Sequence, residues 1–541
     1  MRIVLYGMPC AGKTTIMNRI PNARLVHGSL ELNRLCGGQF SALADDEKKA
    51  IRIKYTEFVR SLDDELVVSD GHYSFLEKIA FTEADGELYD VYLYIYCRPD
   101  TLLKRYRQSS KNIQYAEDSV TTIEHWQRYE IEHLRAECHK RNKDFYVVSD
   151  NEEACSRVLH FIETVRNGYS GFRFAQQICR KIEAMYPNPC ELFILDGDRT
   201  VIEQDSFRFC CDGKTKVFDG NFYTGYQSFL FKCELEQKNV CHYSHVDDIK
   251  LNHTVWDELR SSDYVVLSSG ITDLWEIIGA NYGIKNIVAD PMVSADVKFY
   301  VVKLLQSKGY IIRAYGDSKL DLYMLRQANS GTLIVGKRLS RSLRDESLHG
   351  IRIAYDHSFF RLADSLEPEI LDDIQICKSN SGINGSNLAL AHLRLGRKLG
   401  QAIAEVLPSQ DTAILVLERG GRFFGDGLYI GFGGKFYAFN PSKDPTPTIK
   451  ADHIIIVDSV VNTGKSVLKL IQDLKSKSPN IDIIIASNVI QENAVNLLAN
   501  FKVFTVRTSA NSFVGRNQAM QIGKTGPDTA DRLFNLIERR F

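Results

Sequence analysis

The stretch that most limits the fold is Ile454-Ile-Ile-Val-Asp458-Ser-Val-Val-Asn462-Thr463-Gly464-Lys-Ser466. An unbroken run of β-branched residues suits a central parallel strand, because both faces of such a strand are covered. An acid closes the run, and a loop of Asn, Thr, Gly and Ser follows. Such a loop can aim backbone N–H groups and hydroxyls at a phosphate. The helical spacing from Val467 to Leu474 adds positive dipole at the start of the next element. Asp458, at the strand end, is suited to holding a ribose hydroxyl or a Mg²⁺ shell.

That stretch resembles the phosphoribosyl-pyrophosphate (PRPP) loop of type I phosphoribosyltransferases. The resemblance assigns Asp458, Asn462, Thr463, Gly464 and Ser466 to PRPP. Upstream, Ala413-Ile-Leu-Val-Leu reads as a strand leading into Glu418-Arg419-Gly420-Gly421-Arg422, where glycines permit close backbone approach and Arg419 can clamp pyrophosphate oxygens. The helix expected from Ala389 to Leu407 offers His392, Arg394 and Arg397 to the same anion. Downstream, Gly526-Pro-Asp528-Thr-Ala-Asp531-Arg532-Leu-Phe-Asn535 is similar to the closing signature of uracil phosphoribosyltransferases. So is the single acid at Asp458, where purine enzymes of the fold carry two. The resemblance implies base and PRPP contacts near Asp528, Asp531 and Arg532. Pro527, Ala530 and Asn535 stand where the family has glycines, which bears on the base more than on PRPP.

With 541 residues and roughly 100–200 residues per domain, three or more domains are expected. At the N-terminus, Ile3-Val-Leu-Tyr is a strand, and Gly7-Met-Pro-Cys-Ala-Gly12-Lys13-Thr14 follows, with a helical run from Thr15. This is the P-loop pattern in its strand–loop–helix setting. Glycines wrap phosphates, Lys13 reaches the β/γ oxygens, and Thr14 offers a hydroxyl to Mg²⁺. The region resembles small-molecule and nucleotide kinases. That resemblance puts Arg34 on the acceptor phosphate, Asp70 on the Mg²⁺ shell and Arg105 and Arg107 in a lid, with ATP or GTP as donor. His72 reads equally well as a packed polar residue. Phe145 to Asp150 is the expected last strand of this domain, 1–168.

Leu192-Phe-Ile-Leu-Asp196-Gly-Asp198-Arg-Thr200 is an apolar strand feeding D-x-D-x-T. Two residues apart on an extended turn, both carboxylates can face one pocket, one as nucleophile and one as acid/base. The pattern resembles the haloacid dehalogenase (HAD) superfamily of phosphohydrolases. The resemblance makes Asp196 the attacking group and Asp198 its proton donor. Ser268, or Ser269, would bind the phosphoryl oxygens; Lys298, or Lys303, would neutralise them; and Asp317, with Asp196 and Asp198, would ligate Mg²⁺. This domain is expected over 185–365, with a cap at about 201–262. Cys210, Cys211, Cys233, Cys241, His242 and His245 lie there without a clean C-x-x-C pair and read as thiols rather than a zinc site. Lys378 to Asn387 is a polar, glycine-rich linker, and the third domain is expected over 385–541.

The fold class expected is therefore α/β: three domains, each a mostly parallel sheet with its site at the carboxyl ends of the strands. A net charge of −1 argues against a strongly basic nucleic-acid binder. No run approaches the ~18 apolar residues of a membrane span, and the start is too short for a signal peptide. Twelve scattered cysteines suit a reduced, cytoplasmic setting. The reading is a multifunctional enzyme of nucleotide metabolism acting on small nucleobases and nucleotides, with homo-oligomerisation open. Three alternatives stand beside it. The first two domains in that order also resemble phage polynucleotide kinase–phosphatase. One or more domains could bind nucleotides only to regulate the others. The base could be a uracil analogue.

Overall fold

In the computed structural model the described residues are all of 1–541 except 76–77, 110–118, 150–151, 221, 239, 241, 261, 337–339, 344–345, 356–358, 406, 408, 411, 480, 499–500, 511, 514–520, 523–527 and 537–541. Asp150, Cys241, Gly526 and Pro527, singled out above, therefore lie outside the described residues. The chain divides into two compact units, Met1–Leu333 with Ser347–Arg352, and Ile334–Glu346 with Ile353–Phe541.

The architecture is α/β, with three main sheets whose described strand pairs are parallel. The first sheet has strands Arg2–Tyr6 (β1), Arg24–Val26 (β2), Val67–Asp70 (β3), Val91–Tyr96 (β4) and Asp144–Ser149 (β5), in the order β2-β3-β1-β4-β5. The second has Glu191–Leu195 (β6), Tyr264–Ser268 (β7), Ile287–Ala289 (β8), Ile311–Gly316 (β9), Ser330–Val335 (β10) and Arg352–Tyr355 (β11), in the order β8-β7-β6-β9-β10-β11. The third has Phe359–Arg361 (β12), Thr412–Leu417 (β13), Lys435–Phe439 (β14), His453–Val461 (β15), Asp482–Gln491 (β16) and Lys502–Ser509 (β17), in the order β12-β17-β16-β15-β13-β14. In each sheet the first strand to carry a phosphate-type loop, β1, β6 or β13, is flanked on both sides. The loop after it therefore opens at a crevice between strand ends.

The unbroken Ile454–Val457 run is central, and all four residues are fully buried. Their side chains divide between two cores: Ile455 and Val457 pack under helices Gly385–Ala404 and Arg422–Phe432, while Ile454 and Ile456 pack under helix Lys465–Lys477. The short strand β12 adds to the sheet through Phe359↔Val503, and helix Pro368–Cys377 joins the first of those cores. Among the described residues no helix is long and apolar enough to cross a membrane.

Within the first unit, the halves built on β1–β5 and on β6–β10 are joined by a buried polar cluster. Arg135, on helix Val120–Arg141, is 1% exposed; it donates to Tyr323 at 2.6 Å and to the Phe222 carbonyl at 2.7 Å, and lies 3.3 Å from Asp296. Asp296 also meets His139 Nε2 at 2.7 Å, and Tyr323 donates to Glu132 at 2.6 Å. Burial works against a charge on His139 and lowers its pKa, although Asp296 opposes this. Part of the 201–262 segment serves the same joint. Gln227 donates to the Val147 carbonyl of β5 at 2.8 Å, and Tyr226 and Phe229 pack with Tyr146 and Phe161.

Candidate functional sites

Three clusters of singled-out residues form at strand ends. At the first, the chain leaves β1 at Gly7 (φ +148°), where a Cβ would come within 2.8 Å of the Ile95 carbonyl, so the close turn requires glycine. Helix Lys13–Met17 starts after Gly12. The buried Lys13 ammonium donates to the carbonyls of Gly7 and Met8, at 2.6 and 2.9 Å. Burial lowers its pKa to about 8, with the charge of Asp70 opposing. Asp70 ends β3 beside Leu5 of β1 and accepts from the Gly28 N–H at 2.8 Å. Arg105 donates to the Cys10 carbonyl at 3.1 Å, which puts this arginine on the loop itself. Thr14 and Thr15 are exposed at the loop's exit. Arg34 pairs with Glu31 one turn earlier on its own exposed helix surface. Burial, reinforced by the charge of Lys13, drives the pKa of His72 far down.

The second cluster sits where β7, β6 and β9 end side by side. Asp196 follows β6, and its N–H donates to the Tyr315 carbonyl of β9 at 2.9 Å. Lys298, fully buried on helix Ala295–Ser307, donates to Asp196 and, at 2.7 Å, to Asp321. Asp196, Asp317 and Asp321 each offer an oxygen within 4.8 Å of the others. Among the described residues this is the one acid, thiol or imidazole group with metal-ligand spacing; Cys210, Cys211, Cys233, His242 and His245 form none. Asp321 had no metal role in the sequence reading. Its Oδ2 accepts from the N–H groups of Asp317 and Ser318, both at 3.2 Å, so it holds the turn that presents Asp317. Burial raises the pKa values of Asp196, Asp198 and Asp317. Asp321 adds to the rise at Asp196, Asp205 to that at Asp198, and Asp196 to that at Asp317. Lys298 stays charged: burial lowers its pKa, but Asp196 and Asp321 outweigh it. One oxygen of Asp198 is buried without a hydrogen-bond partner among the described residues.

The rival assignments separate here. Lys303 donates to the His139 carbonyl at 2.6 Å and to Asn142 at 2.8 Å, within the joint between the halves. Ser269 donates to the Val293 carbonyl. Ser268 Oγ instead accepts from the Gly270 N–H at 3.0 Å, and a Cβ on Gly197 would lie 2.8 Å from it, so Ser268 faces the turn after Asp196.

The third cluster gathers the loop after β13, the end of β15 and the tail. Arg419 donates to Asp531 at 2.9 Å and lies 3.9 Å from Asp528. Asp528 caps helix Thr529–Leu533, accepting from the N–H groups of Ala530 and Asp531 at 2.9 and 3.3 Å. A Cβ on Gly420 would meet both Ala530 and Ser459 at 4.0 Å, so the three segments converge. Burial raises the pKa of Asp458 to about 7, opposed by the N–H groups of Val460 and Ser459 and assisted by Asp528. Gly464 (φ +72°) caps helix Lys465–Lys477, and the buried Oδ1 of Asn462 has no partner among the described residues. Thr463 and Ser466 are exposed beside it. Arg532 is turned elsewhere. It is 1% exposed and donates to the carbonyls of Cys377 and Ile383 at 3.3 and 2.8 Å and to Ser381 Oγ at 3.1 Å, tying the 378–384 segment to the tail. Arg394 pairs with Asp373.

Sequence reasoning missed a cavity of about 350 Å³ next to this cluster, lined by residues that include Cys377, His392, Val460, Asn488, Gln491 and Arg507. His392 is 1% exposed, lies 3.1 Å from Ser459 Oγ and 3.3 Å from Asn488 Nδ2, and is kept neutral because burial lowers its pKa to about 3. The signal was present in polar residues inside two apolar strands, Asn488 and Gln491 in β16 and Arg507 in β17.

At the ends of the third parallel sheet, then, a glycine-capped loop, a strand-end acid and a converging arginine lie together. Residues 384–536 match the family model described as "Uracil phosphoribosyltransferase", so the chain carries a phosphoribosyltransferase domain at its C-terminal end. No curated protein matches the chain. Among solved structures, the Aquifex aeolicus protein AQ2163 is 13% identical, with 31% of this chain and 95% of that chain covered and a TM-score of 0.25. The Helicobacter pylori xanthine-guanine-hypoxanthine phosphoribosyltransferase is 21% identical over 23% of this chain and 85% of that chain, TM-score 0.20. The Mycobacterium tuberculosis orotate phosphoribosyltransferase in complex with PRPP is 13% identical over 28% and 98%, TM-score 0.24.

Proposed function

We propose that the chain is a multifunctional enzyme of nucleotide metabolism whose C-terminal domain joins a pyrimidine base, with uracil as the parent, to PRPP. The products are a nucleoside monophosphate and pyrophosphate. The match over residues 384–536 carries this reading. Asp458 and the Asn462–Ser466 loop hold the ribose phosphate. Arg419, now bound by Asp531, swings to the pyrophosphate as charge develops on it. Asp528 and Asp531 then turn to PRPP and its Mg²⁺.

In the first unit, the half built on β1–β5 would pass the γ-phosphoryl group of ATP or GTP to a nucleotide or nucleoside. Lys13 and Arg105 carry the phosphate charge, and Asp70 and Thr14 face the donor's Mg²⁺. The half built on β6–β10 would hydrolyse a phosphomonoester. An Asp196 oxygen attacks phosphorus, the bond to the leaving oxygen breaks and Asp198 supplies that oxygen's proton; Asp198 then takes a proton from water as the water oxygen bonds to phosphorus and the Asp196 O–P bond breaks, releasing phosphate. The carboxylates of Asp196 and Asp317 would hold Mg²⁺, which would neutralise the phosphoryl oxygens; Lys298 and Ser268 would hold the remaining charge. A second reading, processing of nucleic-acid ends, draws on the buried Arg135–Asp296 cluster, which makes these two halves one body.

A product assay tests both readings. The purified chain is given Mg²⁺ and PRPP with a panel of bases, then ATP with nucleosides and oligonucleotides. Consumption of a pyrimidine with release of pyrophosphate supports the first. Phosphorylated oligonucleotide ends with no base consumed support the second.

A further inference from the structure

Trp275, on helix Thr272–Tyr282, is fully buried, and among the described residues no fully buried side chain is larger. Its indole lies against two glycines of the second cluster. A Cβ on Gly197, between Asp196 and Asp198, would fall 2.3 Å from Trp275 Cζ2 and 2.8 Å from Cη2. A Cβ on Gly270 would fall 2.4 Å from Nε1 and 2.6 Å from Cδ1. Neither glycine has a left-handed φ, so the ring, not the backbone, keeps both positions free of a side chain. The same two Cβ positions would lie 2.8 and 3.1 Å from Ser268 Oγ. One edge of the indole therefore runs past the turn after β6 and the turn after β7, and the Ser268 hydroxyl borders both.

Ordinary packing does not account for a tryptophan here. The Nε1–H is buried and has no hydrogen-bond partner among the described residues. A buried indole N–H normally finds a partner, and leaving it unpaired is unfavourable. A phenylalanine or a leucine would fill a core without stranding a donor. What the indole adds is reach, because its outer edge touches both turns at once. Asp196 and Ser268 lie at the ends of neighbouring strands, paired in register through Leu195↔Val266. The Gly270 N–H donates to Ser268 Oγ at 3.0 Å, so the place of Gly270 against the ring is passed on to the hydroxyl. Attack on phosphorus needs the reacting atoms held in line and nearly touching, and the packing of these two turns decides whether they are.

We infer that Trp275 is a positioning residue for phosphoryl transfer at Asp196, its ring fixing the spacing between the Asp196–Asp198 turn and the Ser268 hydroxyl. This rests on the phosphomonoesterase reading of the half built on β6–β10 and deepens it. Full-length protein is labelled with 5-fluorotryptophan. Its three tryptophans give three ¹⁹F resonances, two assigned with Trp126→Phe and Trp256→Phe and the third by elimination. Orthovanadate, a five-coordinate mimic of the transferring phosphoryl group, is added with Mg²⁺, and the Trp275 resonance should move furthest. Turnover of p-nitrophenyl phosphate is then followed well below the unfolding temperature. Trp275→Phe, which withdraws the outer edge of the ring, should lower kcat by about 10²-fold, the scale of a roughly 1 Å misplacement, with KM little changed. A tryptophan that only fills the core would lower the unfolding temperature and leave the kcat of the folded enzyme as it was, and that result overturns the inference. So does a Trp275 resonance that stays in place while vanadate inhibits, a measurement that stands even if Trp275→Phe fails to fold. If vanadate does not bind and no phosphomonoester is turned over, the phosphomonoesterase reading falls and takes the inference with it. If turnover and vanadate binding are intact and either readout fails, only the positioning role falls.

Discussion

The aspartate cluster of the first unit and the Asp458 cluster of the second are built on the same device, a strand ending at an acid, yet they differ in what they leave unmet. Around Asp196 the charges are compensated from within, with Lys298 lying between Asp196 and Asp321 in a buried site. Around Asp458 the polar groups wait: Asn462 Oδ1, Asn488 Oδ1, Gln491 Oε1 and Arg507 Nε have no partner among the described residues. On the proposed reading Asp196 is itself the nucleophile, and a cation beside it favours its charged form against burial. A site that only positions two substrates can leave its complement to them.

The largest expected effect would break that contrast at its source. Lys298→Met leaves two buried acids, Asp196 and Asp321, without their cation, and should cost the first unit about 3–5 kcal/mol. Differential scanning calorimetry should show its transition moving while that of the second unit stays. An unmoved transition would mean that the acids are neutral or solvated. Removing packing in place of charge, Ile456→Ala in β15 should cost the second unit about 2–5 kcal/mol, read from denaturant midpoints. Asp196→Asn should lower phosphomonoesterase turnover by at least ~10²-fold, the scale of a positioned reacting group, with PRPP binding unchanged.

The smallest effect sharpens the comparison by pH. The carboxyl of Asp458, with its pKa near 7, must lose its proton to meet a cation. PRPP–Mg²⁺ affinity should therefore fall as pH drops through about 7 and level off above it, and Asp458→Asn should flatten the profile. In the absence of ligand the sign reverses. A pKa raised in the fold from 3.8 means that the folded state binds more protons, so its contribution to stability declines as pH climbs from that value towards 7.

Much of this was legible because the chemistry demands its own spacing. Gly7 to Thr14 and Asp458 to Ser466 each name a strand, a turn and a helix at once, and Asp196 to Thr200 names a strand and a turn. The same patterns located Asp70 beside the P-loop and Lys298 beside Asp196. Other features were hidden for physical reasons. Strand β12 has three residues, too few to show a period. Arg532 carries a family signature, but its length lets it reach the carbonyls of 376–383, a tertiary choice that no local pattern encodes. Asp321 completes an acid group only through the turn after β9. The aromatics of the 201–262 segment gave no sign of which surface they would cover, and Tyr226 and Phe229 cover the half built on β1–β5.

The Arg135–Asp296 contact bears on how the first unit can be inherited. Cut between residues 168 and 185, each fragment would carry a naked ion on a face meant to be dry: a guanidinium on one piece, a carboxylate on the other. Neither fragment could be shuffled into a new gene as a finished module. Their pairing has to travel together, and a change at either contact residue selects for an answering change across the seam.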